Sequence, residues 1–202
     1  MILEVLKYPD PRLREVSKPV TEFNQSLAQL ASDMLETMYQ ENGVGLAAPQ
    51  VGHLLRMLVV DTRPRDTGGR YEENQMQPLE ALVEQPLVII NPQIVQADGS
   101  TTYDEGCLSV PSFYETVERR KVIHLKYNDV TGKECLLQAD GLLSICIQHE
   151  MDHLEGTLFI DHLSFIKSSK IKNHIKKFGY PPKKSRNQED AESEDSSENV
   201  NS

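Results

Sequence analysis

Five residues constrain this chain more than any others: His149-Glu150-Met151-Asp152-His153, an H-E-x-x-H pattern. It lies in a segment whose apolar residues Leu142, Leu143, Ile145 and Ile147 predict a buried helix from about Gly141 to Leu154. Side chains four apart sit one above the other on a helix face, so two imidazoles can converge on one metal ion. Glu150 then projects beside them, placed to take a proton from water. On a solvated helix the pattern would mean little, but two buried histidines need partners. The fold must therefore bring a third ligand to this helix.

That ligand is absent from the usual places. Zinc peptidases commonly carry a His six residues after the second, where this chain has Phe159, and no Glu follows Glu155 until Glu189. Asp161 and His162 lie just past the helix end. Cys146 shares the helix face, yet Cys146, His149 and His153 would span about 10 Å of helix rise, too far for one ion. Cys146 reads instead as a small buried residue lining the site, and Cys135, in a strand-like run, reads as core. Cys107 sits in Glu105-Gly106-Cys107-Leu108-Ser109-Val110-Pro111, where the glycine and proline predict irregular backbone near a strand end. A thiolate with two imidazoles is a known catalytic zinc set and also suits ferrous iron. A third constellation, Gly43-Val44-Gly45-Leu46-Ala47-Ala48-Pro49-Gln50, lets something approach the backbone closely. It lacks the G-K-[ST] ending of a phosphate loop, and taken alone it reads as a tight turn on the core.

Asn24 to Tyr39 has the three-and-four apolar spacing of an amphipathic helix, closed by Gly43. Met57–Asp61, Leu87–Pro92, Val122–Asp129 and Glu134–Ala139 read as strands, with Thr131-Gly132 turning between the last two. A last helix is expected from about Ser164 to Phe178, stopped by Gly179 and two prolines. Hairpin-linked strands with segregated helices mean α+β. Arg63 to Pro86 is polar and broken by Pro64, Gly68, Gly69 and Pro78, which marks a surface insertion with a helical turn around Leu79 to Val83. One catalytic domain over 1–180 is expected, followed at 181–202 by a disordered acidic tail.

The 202 residues, 38% hydrophobic and 26% charged, suffice for one real core. No apolar run approaches the eighteen or so residues of a membrane span, and Met1-Ile2-Leu3-Glu4 does not open like a secretory signal. Three cysteines, an odd number, fit a reducing compartment, so a cytoplasmic protein is expected. The net charge of −10 is uneven. Ile166 to Arg186 holds eight bases and no acids, whereas Asn187 to Ser202 holds six acids and no bases. The basic stretch is either a polyanion-binding surface or a solvated helix face that packs Ile166, Ile171, Ile175 and Phe178.

Taken together, GVGLAAPQ, EGCLSVP and QHEMDHLEG resemble the three signature motifs of peptide deformylases, GxGLAAxQ, EGCLS and QHExDHLxG. The resemblance extends over about Met1 to Phe178. It implies antiparallel sheets packed around a central helix carrying H-E-x-x-H, with a C-terminal helix. It implies Cys107, His149 and His153 as metal ligands, Glu150 as proton carrier, and Gln50 and the Leu108 backbone N–H as donors to the oxyanion. It places Val44, Gly45, Gly106, Leu142, Ile145 and Cys146 around the substrate. The implied reaction removes the formyl group from the N-terminal methionine of a new polypeptide and releases formate. One divalent ion is expected, Fe2+ by resemblance, although the ligand set accepts Zn2+, Ni2+ or Co2+. A monomer is expected, with the ribosome as a partner through the basic helix. Where some relatives carry an arginine seven residues after the metal cysteine, this chain has Tyr114. A metallopeptidase is the rival with the same chemistry, and a non-catalytic binding protein is the rival from another class. The missing downstream ligand counts against the first, and the presence of Glu150, Gln50 and a full ligand set counts against the second.

Overall fold

The computed structural model describes residues 1–64 and 76–181. The expected tail, apart from its first residue, and part of the insertion lie outside these residues. In chain order the elements are α1 (Gln25–Gln40), β1 (Gly45–Ala47), β2 (Met57–Val60), β3 (Leu87–Asp98), β4 (Thr101–Cys107), β5 (Val110–Arg119), β6 (Val122–Asn128), β7 (Glu134–Ala139), α2 (Gly141–Leu154) and α3 (Phe165–Phe178). Five strands form one sheet in the order β1-β2-β3-β6-β7, and β4 pairs with β5 as a separate hairpin. Every pairing between these strands is antiparallel. The class is α+β.

Strand β2 shows how the layers are built. Its side chains alternate between two faces, and both faces are covered, so all four residues are buried. Leu58 and Val60 join Leu143, Ile147 and Leu154 of α2 in one core, while Met57 and Val59 join Leu27, Met34 and Met38 of α1 in another. The sheet thus lies between the two helices. A third core packs Val110 and Val117 of β5 against Phe159, Ile171 and Ile175, tying the hairpin to the C-terminal helix.

Asn24 caps α1 by accepting from the Leu27 N–H at 3.0 Å. Past the helix end Asn42 takes the left-handed position, with φ of 58°. Gly43 N–H then bonds back to the Met38 carbonyl at 2.8 Å. Helix α3 differs from its bland reading, because Ile171 and Ile175 are buried but Ile166 and Phe178 are mostly exposed. The insertion is less superficial than its composition implies. Its helical turn exists, at Glu80–Leu82, but Glu80 and Gln85 are buried. Cys135 is only half-buried on β7, so it is not a core residue.

The first twenty residues run as a strap over the rest. Leu6 N–H donates to the Gln50 carbonyl at 2.8 Å, Tyr8 N–H to the Ser109 carbonyl at 2.9 Å, and Ser17 N–H to the Leu154 carbonyl at 2.8 Å. Each contact falls at one of the three sequence motifs.

Candidate active site

Packing orients α2 before any chemistry does. With Leu143, Ile147 and Leu154 on the sheet, Leu142, Ile145, His149 and Glu150 face a broad cleft of about 1290 Å³. Cys107 comes from the other side as the last residue of β4, where the hairpin register shifts between Glu105↔Glu115 and Cys107↔Val110. The irregular backbone expected there presents the thiol to the helix. Cys107 Sγ lies 3.3 Å from His153 Nε2, and the two imidazole centroids are 5.1 Å apart. One ligating atom from each of Cys107, His149 and His153 falls within 4.8 Å of the others. Asp161 and His162 lie elsewhere, paired with Arg14 and Asp152, and Cys146 Sγ bonds the Val44 carbonyl.

A buried ion chain supports the first histidine. Glu105 Oε2 lies 2.8 Å from His149 Nδ1, so the Nδ1–H donates to the carboxylate and Nε2 keeps its lone pair for the site. Arg119 grips Glu105 with Nε and Nη2 at 2.6 and 2.9 Å, and its Nη1 donates to Asp152 at 2.7 Å. Burial alone would raise the Glu105 pKa, but the hydrogen bonds from Arg119 and His149 outweigh it and hold it down to about 2. Burial likewise disfavours a charged His149, yet its bonds to Cys107 and Glu105 raise its pKa well above that of an ordinary imidazole. His153, buried and facing that charge, is lowered well below.

Glu150 is 4% exposed, and its Oε2 has no partner among the described residues; the same holds for His153 Nδ1. Burial, only partly offset by the nearby His149 charge, pushes the Glu150 pKa up to about 7. Gly45 makes room for it. A Cβ there would lie 2.5 Å from Glu150 Oε1 and 2.6 Å from Cys146 Sγ. GVGLAAPQ is thus more than a tight turn on the core. Its Gln50 is fixed by Ala47 N–H, which donates to Oε1 at 2.7 Å. Gln50 Nε2 consequently points at Ser109 Oγ, 3.2 Å away, and Cys107 Sγ, 3.6 Å away.

Val44, Gly45, Gly106, Leu142, Ile145 and Cys146 all line the cleft, as does Leu108. Tyr114 lies over Gly106, where a Cβ would come within 2.5 Å of its ring. The donor chemistry suits a single divalent metal: a thiol and two imidazoles, one imidazole already oriented by a carboxylate, beside a buried unpartnered acid. Glu105 and Arg119 escaped the reading of single residues. Glu105 stands two places before Cys107 inside the second motif, and that position was the available signal. Nothing in the sequence pairs it with Arg119, because that contact depends on the hairpin register.

Residues 2–169 match the family model described as polypeptide deformylase. The peptide deformylase of Alkalilimnicola ehrlichii is 46% identical over 176 residues, covering 87% of this chain and 90% of the relative. That of Cellvibrio japonicus is 48% identical over 177 residues, covering 87% and 95%. Among solved structures, a Legionella pneumophila peptide deformylase superposes with a TM-score of 0.75 at 41% identity, covering 88% of this chain and 95% of that one. The Ehrlichia chaffeensis peptide deformylase in complex with actinonin gives 0.76 at 40% identity, covering 87% and 96%. Fold and site together define a metal-dependent hydrolase. Two histidines from a helix and one cysteine from a hairpin, brought together as a group that could hold a metal, narrow the class further. The chain belongs to the polypeptide deformylase family, enzymes that remove the formyl group from the N-terminal methionine of new polypeptides and release formate.

Proposed function

We propose that Cys107 Sγ and the Nε2 atoms of His149 and His153 hold the metal, Fe2+ in the native enzyme, and that Glu150 carries the protons of deformylation. The observation that supports this reading best is the convergence of the three ligating atoms within 4.8 Å beside a buried carboxylate with one unpartnered oxygen. When bound, the ion polarises the formyl carbonyl and makes water acidic enough to attack near neutral pH. Glu150 Oε2 takes the proton from the attacking water and later delivers it to the departing amine. A buried carboxylate with one oxygen that has no partner among the described residues suits both steps. Gln50 Nε2 and the Leu108 N–H donate to the formyl oxygen as it becomes negative, and neither needs to reorganise. Water and the N-formyl chain become formate and a free N-terminus. Val44, Leu142, Ile145 and Cys146 grip the methionine side chain. Backbone groups at Gly45 and Gly106 pair with the peptide as an added strand, a contact blind to the later side chains.

The reading extends to the whole chain. Residues 1–180 form the catalytic domain, the acidic tail is an appendage, and a monomer works in the cytoplasm where new chains emerge. Among the described residues no helix is long and apolar enough to cross a membrane. Protein purified without oxygen and assayed for metal should contain about one iron per chain and release formate from a formylmethionyl peptide. Cleavage of internal amide bonds without formate release would instead favour the metallopeptidase.

The basic helix would dock the enzyme on ribosomal RNA or protein. Lys167 is tied to Glu115 and Lys172 to Asp161, so Lys170, Lys176 and Lys177 lead this surface, with Lys183, Lys184 and Arg186 beyond. The acidic tail competes for it within the same chain. Truncation after Ser185 should tighten ribosome association at low salt and leave turnover on a free peptide unchanged. Association that ignores salt, or none with or without the tail, would reduce the helix to structure alone.

A further inference from the structure

The insertion between β2 and β3 reaches back to the catalytic helix. Glu80, 2% exposed, accepts from the N–H groups of Leu142 at 3.2 Å and Leu143 at 3.1 Å, in the first turn of α2. The Thr62 hydroxyl donates to the same carboxylate at 2.6 Å. Asp140, the residue that opens α2, does not cap its own helix. Its carboxylate turns the other way and accepts from Leu79 N–H at 3.3 Å and Glu80 N–H at 2.8 Å. Each acid thus caps the other's turn, across sixty residues of sequence. Gly141, with φ of 57°, completes the joint, because a Cβ there would meet Glu80 Oε2 and lie 2.9 Å from Gln77 Cγ.

The joint sits directly behind the cleft. Leu142 and Ile145 line the cleft on one side and a second hollow of about 420 Å³ on the other, and Glu80, Gln77 and Thr62 line that second hollow. Leu142, Ile145 and Tyr103 line both hollows. A shift in the first turn of α2 would therefore move the wall and change the depth of the cleft.

We propose that Glu80 is a positioning residue for substrate selection: by holding the first turn of α2 it fixes Leu142 and Ile145, and so the depth of the pocket that receives the N-terminal side chain. Glu80 touches no substrate and acts only through the helix. The inference rests on the reading of this cleft as the formylmethionyl site.

The test compares Glu80→Ala and Glu80→Gln with the unaltered protein, all metal-loaded, on a formylmethionyl peptide and its formylleucyl counterpart. Glu80→Ala should raise KM for the methionyl peptide about ten-fold while kcat stays within about two-fold, and should narrow the preference for methionine by a similar factor. Glu80→Gln keeps the shape and one acceptor oxygen, so it should fall between the two. A merely structural role would lower the melting temperature and the active fraction. In that case kcat would fall with KM and preference unmoved, and the proposal would be overturned. Should Glu80→Ala fail to fold, the Gln variant decides by the same two readings. An unaltered protein inert on both peptides would overturn the formylmethionyl reading and this inference with it. An active one with unshifted variants would overturn this inference alone.

Discussion

Glu150→Gln is expected to bind metal and peptide normally and to lose turnover by about a hundred-fold or more, roughly 3 kcal/mol of barrier. The amide matches the carboxylate in shape and still fits the space that Gly45 leaves. It cannot accept a proton from water or return one to the amine. Because a positioned base acts in the transition state, the loss should appear in kcat and kcat/KM together, with KM nearly constant. Metal content measured on the same sample separates this from a damaged ligand set. Near-normal turnover by the metal-loaded variant would remove Glu150 from the mechanism.

Cys107→Ser should weaken metal binding by more than roughly 100-fold, beyond what outer partners of a metal site are worth. A serine hydroxyl stays protonated near neutral pH and is a poor ligand for a borderline metal. Cys146→Ser and Cys135→Ser are the controls. The first thiol bonds the Val44 carbonyl and the second the Lys133 carbonyl, contacts a hydroxyl can reproduce. Metal analysis after dialysis of the three variants reads the result directly. Loss of metal from Cys146→Ser alone would mean that the ligands come from one helix after all.

Much of the site was legible because its residues obey local spacing. The four-residue interval of His149 and His153 needs only a helix, and the apolar flanks predict that helix with the bounds it has. Strands β6 and β7 announce themselves by composition and an intervening glycine turn. The β4–β5 hairpin does not. Its faces alternate between part-buried and exposed positions with few large apolar residues, so no periodic apolar signal marks it. With the hairpin hidden, so was the register that sets Arg119 against Glu105. The insertion misled for a related reason. Glu80, Gln85 and Thr62 are polar residues bonded in a chain that reaches the first turn of α2, and composition alone cannot tell a buried polar joint from a solvated loop. Elimination among the cysteines pointed to Cys107, whose thiol the structure brings to His149 and His153. The carboxylates that brace this group became visible only in three dimensions.

The strap has a consequence for how the enzyme itself is made. Residues 6, 8 and 17 leave the ribosome well before their hydrogen-bond partners at Gln50, Ser109 and Leu154. Contacts of such long sequence separation close slowly, because the intervening chain must be ordered before they can form. The opening segment therefore waits through most of synthesis for the helix that carries His149 and His153. Its last anchor, at Leu154, is also the end of that helix. A chain interrupted before this point would keep two of the three motifs and lack the third anchor of the strap, so assembly of this site is a late event in the life of the nascent protein.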